Sequence, residues 1–231
     1  MIEIIPAVLA QNYDDLREKI SRFSNYAKII QIDMCDGKFV PSYSWPMQTK
    51  DEASVQNILN EEDGLPAWDH VDFEFDLMIK NVHTQFEFFT RLGAKRLVFH
   101  LEAEDKEQFI EFLESMDPYW RDNLEIGLAI NTNTDINEIS PFINLIDFVQ
   151  CMGIEHIGFQ GEPFNEKVIE QIKNLKEKYP DLIISVDGSV NENTAPLLVE
   201  AGATRLIIGS ALNESYDVEE TIREFEELDS R

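Results

Sequence analysis

Acids set inside apolar runs are the first residues of this chain with chemical consequence. Asp33 closes the run Ile29–Asp33, Asp76 lies within Asp72–Leu77, and Asp187 follows Ile183–Val186. A carboxylate among Ile, Val, Leu and Phe costs several kcal/mol unless it is paired, protonated or bound to a cation. One such acid reads as a structural cap; three at corresponding positions favour a functional site. Gln31, His100, Glu102 and Asn131 extend this polar set at the ends of neighbouring apolar runs. Close carboxylates raise one another's pKa, so one can be protonated while another is ionised. That is the state general acid–base chemistry requires.

Glycines form the second chemical cluster. Gly158-Phe159-Gln160-Gly161, Gly188-Ser189 and Gly209-Ser210 each follow an apolar run. Glycine lets backbone N–H groups approach an anion closely, and a helix opening after Gly209-Ser210 adds a favourable dipole. Either dipeptide alone would be an ordinary turn; three glycine sites in succession predict a phosphate cradle.

The elements that must position these residues alternate along the chain. Strands are predicted at Ile2–Ile5, Ile29–Asp33, Asp72–Leu77, Arg96–His100, Glu125–Ile130, Phe148–Met152, Ile183–Val186 and Arg205–Ile208. Their near-continuous apolar content suits strands buried on both faces. Helical periodicity falls between them, at Asp14–Phe23, His83–Leu92, Lys106–Glu114, Asn165–Lys178, Thr194–Ala201 and Val218–Leu228, with a shorter helix after Ile136. Eight such repeats in 231 residues predict an α/β fold, a (β/α)8 TIM barrel forming one domain over 1–231, with a doubly wound open sheet as the alternative. In that fold, residues at C-terminal strand ends reach substrate, and the loops after strands seven and eight hold phosphate. Residues 42–70 break the rhythm with one helical stretch, Ser54–Glu61, and long loops. They read either as a lid or as a solvated insertion anchored by Trp45 and Trp68.

Composition narrows the function classes. Hydrophobic residues make up 43%, which excludes a disordered chain. Against 45 Asp and Glu stand 19 Lys and Arg, a net charge of -26, so nucleic acid and anionic membranes are not expected partners. A phosphorylated ligand would have to be held by local amides rather than by the long-range field. No Gly-x-Gly-x-x-Gly follows the first strand, so no nucleotide cofactor is expected. Two cysteines, Cys35 and Cys151, make no disulfide framework, and the chain reads as cytoplasmic. Cys151 reads as packing and Cys35 as core filler at the rim. His100 reads as a buried hydrogen-bonding residue and His156 as a turn cap. His70 and His83 read as inert surface residues.

Read as a block, Gln31-Ile32-Asp33-Met34-Cys35-Asp36-Gly37-Lys38-Phe39-Val40-Pro41 resembles the ribulose-phosphate 3-epimerase signature, His-Val-Asp-Val-Met-Asp-Gly-x-Phe-Val-Pro. The likeness runs on through Asp76-Leu77-Met78-Ile79, His100-x-Glu102-Ala103, Gly158-Phe159-x-Gly161, Ser185-Val186-Asp187-Gly188 and Gly209-Ser210-Ala211. It covers nearly the whole chain outside 42–70. The resemblance implies a TIM barrel of ribulose-phosphate-binding type and interconversion of D-ribulose 5-phosphate and D-xylulose 5-phosphate. Asp33 and Asp187 would exchange the C3 proton on opposite faces through an enediolate. It also implies a divalent metal, a methionine-lined pocket in which Met78 and Met152 match and Cys35 replaces a third methionine, and a homo-oligomer contacted through Phe159 and Trp45.

Departures from the pattern bear on the metal. Gln31 and Asp76 stand where the family has histidine ligands, Ala7 replaces a substrate-binding serine, and Gln160 replaces a glycine. The ligand set becomes Gln31, Asp33, Asp76 and Asp187, all oxygen donors, which suits Mg, Mn or Ca; the alternative is an acid pair working without metal. The expected pocket comprises Ala7, Cys35, Met78, His100, Glu102, Asn131 and Met152. The phosphate seat comprises Gly158, Phe159, Gln160, Gly161, Gly188, Ser189, Gly209 and Ser210. Two other readings stay open: a related sugar-phosphate lyase, disfavoured by Cys35 where such barrels carry lysine, and a non-catalytic sugar-phosphate-binding barrel.

Overall fold

Alternation along each strand sends side chains to two different cores. A computed structural model describes residues 2–159 and 161–230. Its strands are β1 (Glu3–Val8), β2 (Ile29–Cys35), β3 (Asp72–Met78), β4 (Arg96–His100), β5 (Glu125–Ile130), β6 (Phe148–Met152), β7 (Ile183–Asp187) and β8 (Arg205–Ile208). They pair in parallel and in chain order, and β8 closes on β1, making a complete barrel. The large core lies outside the strands, where Ile30, Ile32, Phe75, Leu97, Phe99, Leu128, Cys151, Ile184 and Leu206 meet the helices. Helices α1 (Tyr13–Phe23), α2 (Glu52–Leu59), α3 (Phe86–Arg91), α4 (Lys106–Glu114), α5 (Pro118–Asn123), α6 (Lys167–Lys178), α7 (Ala195–Ala201), α8 (Ser210–Asn213) and α9 (Val218–Glu226) surround it. Each long helix buries one stripe, as α1 does with Leu16, Ile20 and Phe23.

The periodicity over His83–Leu92 resolves into two pieces, a 3-10 turn at Val82–Gln85 and α3. The stretch after Ile136 is a 3-10 turn, Ile136–Ile139. The sequence pattern gives no sign of α5, whereas the helix expected to open at Gly209-Ser210 is present as α8. The first buries no residue and so shows no apolar period, and the second is a single turn. His83 is not an inert surface residue: it is buried, and its Nδ1 bonds the Glu104 carboxylate, 21 residues away and invisible to local patterning. Residues 42–70 are anchored by one tryptophan, not two. Trp45 is fully buried and donates its backbone N–H to the Ala10 carbonyl at 2.8 Å, whereas Trp68 is 67% exposed. A fully buried Trp45 also leaves no ring surface for contact with another subunit.

Inside the barrel the side chains are unusually polar. At the N-terminal end, Glu3, Glu74, Arg96, Glu125 and Arg205 form an ionic belt. Arg96 reaches Glu3 at 3.0 Å and Glu74 at 3.6 Å, and Arg205 reaches Glu3 at 2.8 Å and Glu125 at 2.9 Å. Arg205 also lies 4.7 Å over the Phe148 ring, which fills the space left by the missing side chain of Gly127. Above this belt the inward positions are Gln31, Gln150 and Ser185, and above those Asp33, Asp76, His100 and Asp187.

Candidate active site

Period-two alternation places Gln31 directly beneath Asp33 on the inward face of β2. The register of β2 with β3 sets Asp33 beside Asp76, and that of β6 with β7 sets Met152 beside Asp187. One oxygen from each of Asp33, Asp76 and Asp187 lies within 4.8 Å of the others. Gln31 joins two of them: its Nε2 donates to Asp33 Oδ1 at 2.8 Å and to Asp187 Oδ2 at 2.8 Å. The third, Asp76, takes a 2.7 Å hydrogen bond from His100 Nε2, and both of these residues are fully buried.

Electrostatics follow from this crowding. Burial raises Asp33 well above the ordinary carboxylate range, and the nearby Asp187 and Asp76 add to the rise. Burial, then Asp76, pushes Asp187 up to about 7, while the Gln31 hydrogen bond and the His100 charge pull against that. For His100, burial opposes the charged ring, but the Asp76 carboxylate outweighs it and the pKa is raised. The Cys35 thiol is pushed up by burial and by the carboxylate of Asp33, so it is no nucleophile.

The loop after β2 is built to hold this arrangement. Asp36 Oδ1 accepts the Lys38 N–H at 2.9 Å and closes a tight turn. Phe39 then packs on the His100 ring at 5.5 Å between centroids. Ser44 Oγ accepts the Cys35 N–H at 2.8 Å and donates to the Asp33 carbonyl at 2.7 Å, pinning the end of β2. Ser42 donates to the Gly158 carbonyl, tying this loop to the one after β6.

The cavity above the acids is lined by Ala7, Asp33, Met78, Met152 and Asp187, and by Gly158, Phe159, Gly161, Gly188, Ser189, Gly209 and Ser210. Gly188 sits at φ +106°, where a side chain would be strained, and an added Cβ would stand 2.8 Å from Ile154. Gln160 lies outside the described residues. Four expected pocket residues are placed elsewhere. Cys35 is fully buried with its sulfur 4.0 Å from that of Met78. His100 stands behind Asp76. Glu102 accepts the Asn131 N–H at 2.9 Å and bonds Thr134, so both it and Asn131 build the loop after β5 rather than line the cavity. Residues not anticipated, Leu9, Ile154, Glu162, Val190 and Ile207, complete the lining. Of these, Ile207 was findable, since it lies two residues before Gly209.

Whether a divalent ion suits this site turns on the donors. Gln31 was expected to offer an oxygen, but it presents N–H groups, which have no lone pair for a metal. The amide nitrogen fills the gap between the Asp33 and Asp187 oxygens, and one Asp76 oxygen is taken by His100. The amide N–H groups and His100 occupy the oxygens that face one another, leaving Gln31 Oε1 and Asp76 Oδ2 unpartnered among the described residues, and this arrangement does not fit a resident cation held between the three acids.

Comparison with known proteins places these features in a lineage. The model of the ribulose-phosphate 3 epimerase family matches residues 3–213. The ribulose-phosphate 3-epimerase of Bacillus subtilis is 30% identical over 232 residues, 97% of this chain and 98% of that one. That of Schizosaccharomyces pombe is 26% identical over 222 residues, 95% of this chain and 90% of that one. The cytoplasmic isoform of the rice enzyme is 25% identical over 214 residues, 91% of this chain and 86% of that one. Among solved structures, 3-hexulose-6-phosphate synthase from Salmonella typhimurium superposes with a TM-score of 0.67 at 12% identity, covering 98% of each chain. The 3-keto-L-gulonate-6-phosphate decarboxylase from Vibrio cholerae gives 0.68 at 14% identity, covering 100% of this chain and 99% of that one. At those identities the likeness is one of fold. No helix among the described residues is long and apolar enough to cross a membrane.

Proposed function

The chain belongs to the ribulose-phosphate 3-epimerase family, and from that premise we propose that it epimerises a ketose phosphate at C3, with D-ribulose 5-phosphate and D-xylulose 5-phosphate as the substrate pair. The observation that carries this reading is the acid pair. Asp33 and Asp187 come from β2 and β7, both border the cavity, and both have raised pKa values. One carboxylate takes the C3 proton while the other, protonated, supplies a proton to the opposite face. The C3–H bond breaks, its electrons form the enediolate, and a new C3–H bond forms with inverted configuration. Net proton count is unchanged, but the two acids have exchanged roles, so the pair is ready for the reverse reaction.

Negative charge develops on the enediolate oxygens, and the protonated member of the pair would be a donor beside it before passing its proton to C3. The phosphate would rest against the backbone N–H groups around Gly188-Ser189 and Gly209-Ser210. Among the described residues no lysine or arginine lines the cavity, and Met78 and Met152 give it apolar walls. This balance suits a sugar phosphate held by amides with its carbon skeleton against thioethers.

Solvent deuterium exchange is the direct test. Incorporation at C3 of ribulose 5-phosphate in D2O is expected for the native chain, and Asp33→Asn or Asp187→Asn should reduce it by at least about 1,000-fold. Absence of exchange with every pentulose and hexulose phosphate would reject the proposal. Calorimetric binding without exchange would support the sugar-phosphate-binding barrel instead, a reading that Gln31, Asp76 and Ala7 favour by departing from the family pattern.

A further inference from the structure

We infer that Gln31 stands in for a bound cation: its amide ties Asp33 to Asp187, so this chain assembles its acid pair without a resident divalent metal. The inference rests on the reading of those two acids as the proton-transfer pair.

The match of donors to acceptors is the first ground. An amide nitrogen carries two hydrogens, and each has one partner here, Asp33 Oδ1 and Asp187 Oδ2, both at 2.8 Å. Turning the amide over would lose both bonds and aim Oε1 at two carboxyl groups. Confinement is the second. Gln31 is fully buried on the inward face of β2, between Ala7 of β1 and Glu74 of β3 in register, so its side chain cannot swing into solvent. The third acid is answered within the protein as well. His100 Nε2 bonds Asp76 Oδ1 at 2.7 Å, and the ring is held in place by Phe39. Thus the two positions at which this chain departs from the family's histidines both take part in a hydrogen-bonded alternative. Gln31 is a positioning residue in this scheme, since it acts through the acids and does not line the cavity.

Two oxygens of the group, Gln31 Oε1 and Asp76 Oδ2, lack a hydrogen-bond partner among the described residues, and a cation would be expected to turn to them. Direct measurement of metal binding therefore decides the matter. The full-length chain and its Asp187→Asn variant are stripped with EDTA and titrated with Mn(II), with free ion followed by EPR. Both are expected to bind Mn(II) to the same extent, through loose association with surface acids. A tight equivalent held by the native chain and lost from Asp187→Asn would overturn the inference. In the exchange assay, EDTA should leave the native rate unchanged, while Gln31→Leu should lower kcat by about 100-fold with little change in KM. Gln31→Leu should also move the acidic limb of the pH profile upward, because the N–H bonds favouring the ionised acids are gone. Loss of native exchange on EDTA treatment and its return with Mn(II) would overturn the inference. If no ketose phosphate undergoes exchange at all, the proposed epimerisation fails, while the Mn(II) comparison still decides what Gln31 does.

Discussion

At the scale of single residues, Asp187 shows how a buried acid at the proposed site weakens the fold around it. Its carboxyl is pushed up to about 7, chiefly by burial and then by Asp76. Between the ordinary carboxylate range and that value, the folded chain keeps a proton that the unfolded chain releases. The stability contributed by this group is therefore complete at acid pH and is lost as pH rises through 7. Asp187→Asn should melt higher than the native chain at pH 8, by roughly 1–2 kcal/mol after allowance for its partial exposure. The gap should narrow by pH 5, and melting curves at the two pH values measure it. The presence of Asp33, Asp76 and Asp187 was legible, because acids interrupt apolar runs. Their hydrogen-bonded partners were not. A glutamine can offer oxygen or nitrogen, and here the choice is decided by Asp33 on the same strand together with Asp187 on β7, three strands away around the barrel. The same holds for Glu102, whose bonds to Asn131 and Thr134 make it a loop support.

At the scale of elements, the loop leaving β2 carries both the signature residues and the anchor that fixes them. Trp45 is wholly buried beside Tyr13, with ring centroids 6.1 Å apart, while Trp68 lies mostly in solvent. Trp45→Ala should destabilise the chain by about 3–5 kcal/mol, through the cavity it leaves. Trp68→Ala should stay within about 0.5 kcal/mol of the native chain. Denaturant unfolding of both variants checks the contrast. Legibility at this scale followed physical strength. All eight strands were read from apolar runs, and each meets its expected position, because the face of each strand that packs on the helices is apolar even where the face turned into the barrel is not. Strands β1, β2, β3 and β7 run on past the expected ends by one to three residues; Met78 and Asp187, which end β3 and β7, line the cavity, whereas Val8 and Cys35, which end β1 and β2, are buried away from it. The helix α5 buries nothing, so no pattern betrayed it.

At the scale of the whole molecule, the ionic belt decides what the barrel interior tolerates. Glu74 is fully buried, and its carboxyl is pushed up to about 8 by burial despite the opposing charges of Arg96 and Arg205. Arg96→Met should cost about 3–5 kcal/mol, because it strands buried acid. Adding Glu74→Gln to that variant should recover part of the loss, and unfolding curves for the single and double variants measure the coupling. The belt also stoppers one end of the cylinder. The cavity above the acids lies at the opposite end, among the loops after β1, β6, β7 and β8, and in the proposed reaction both sugars would enter and leave there. The two sugars of a reversible pair would then queue for the same passage, and each would slow the other's turnover simply by standing in it.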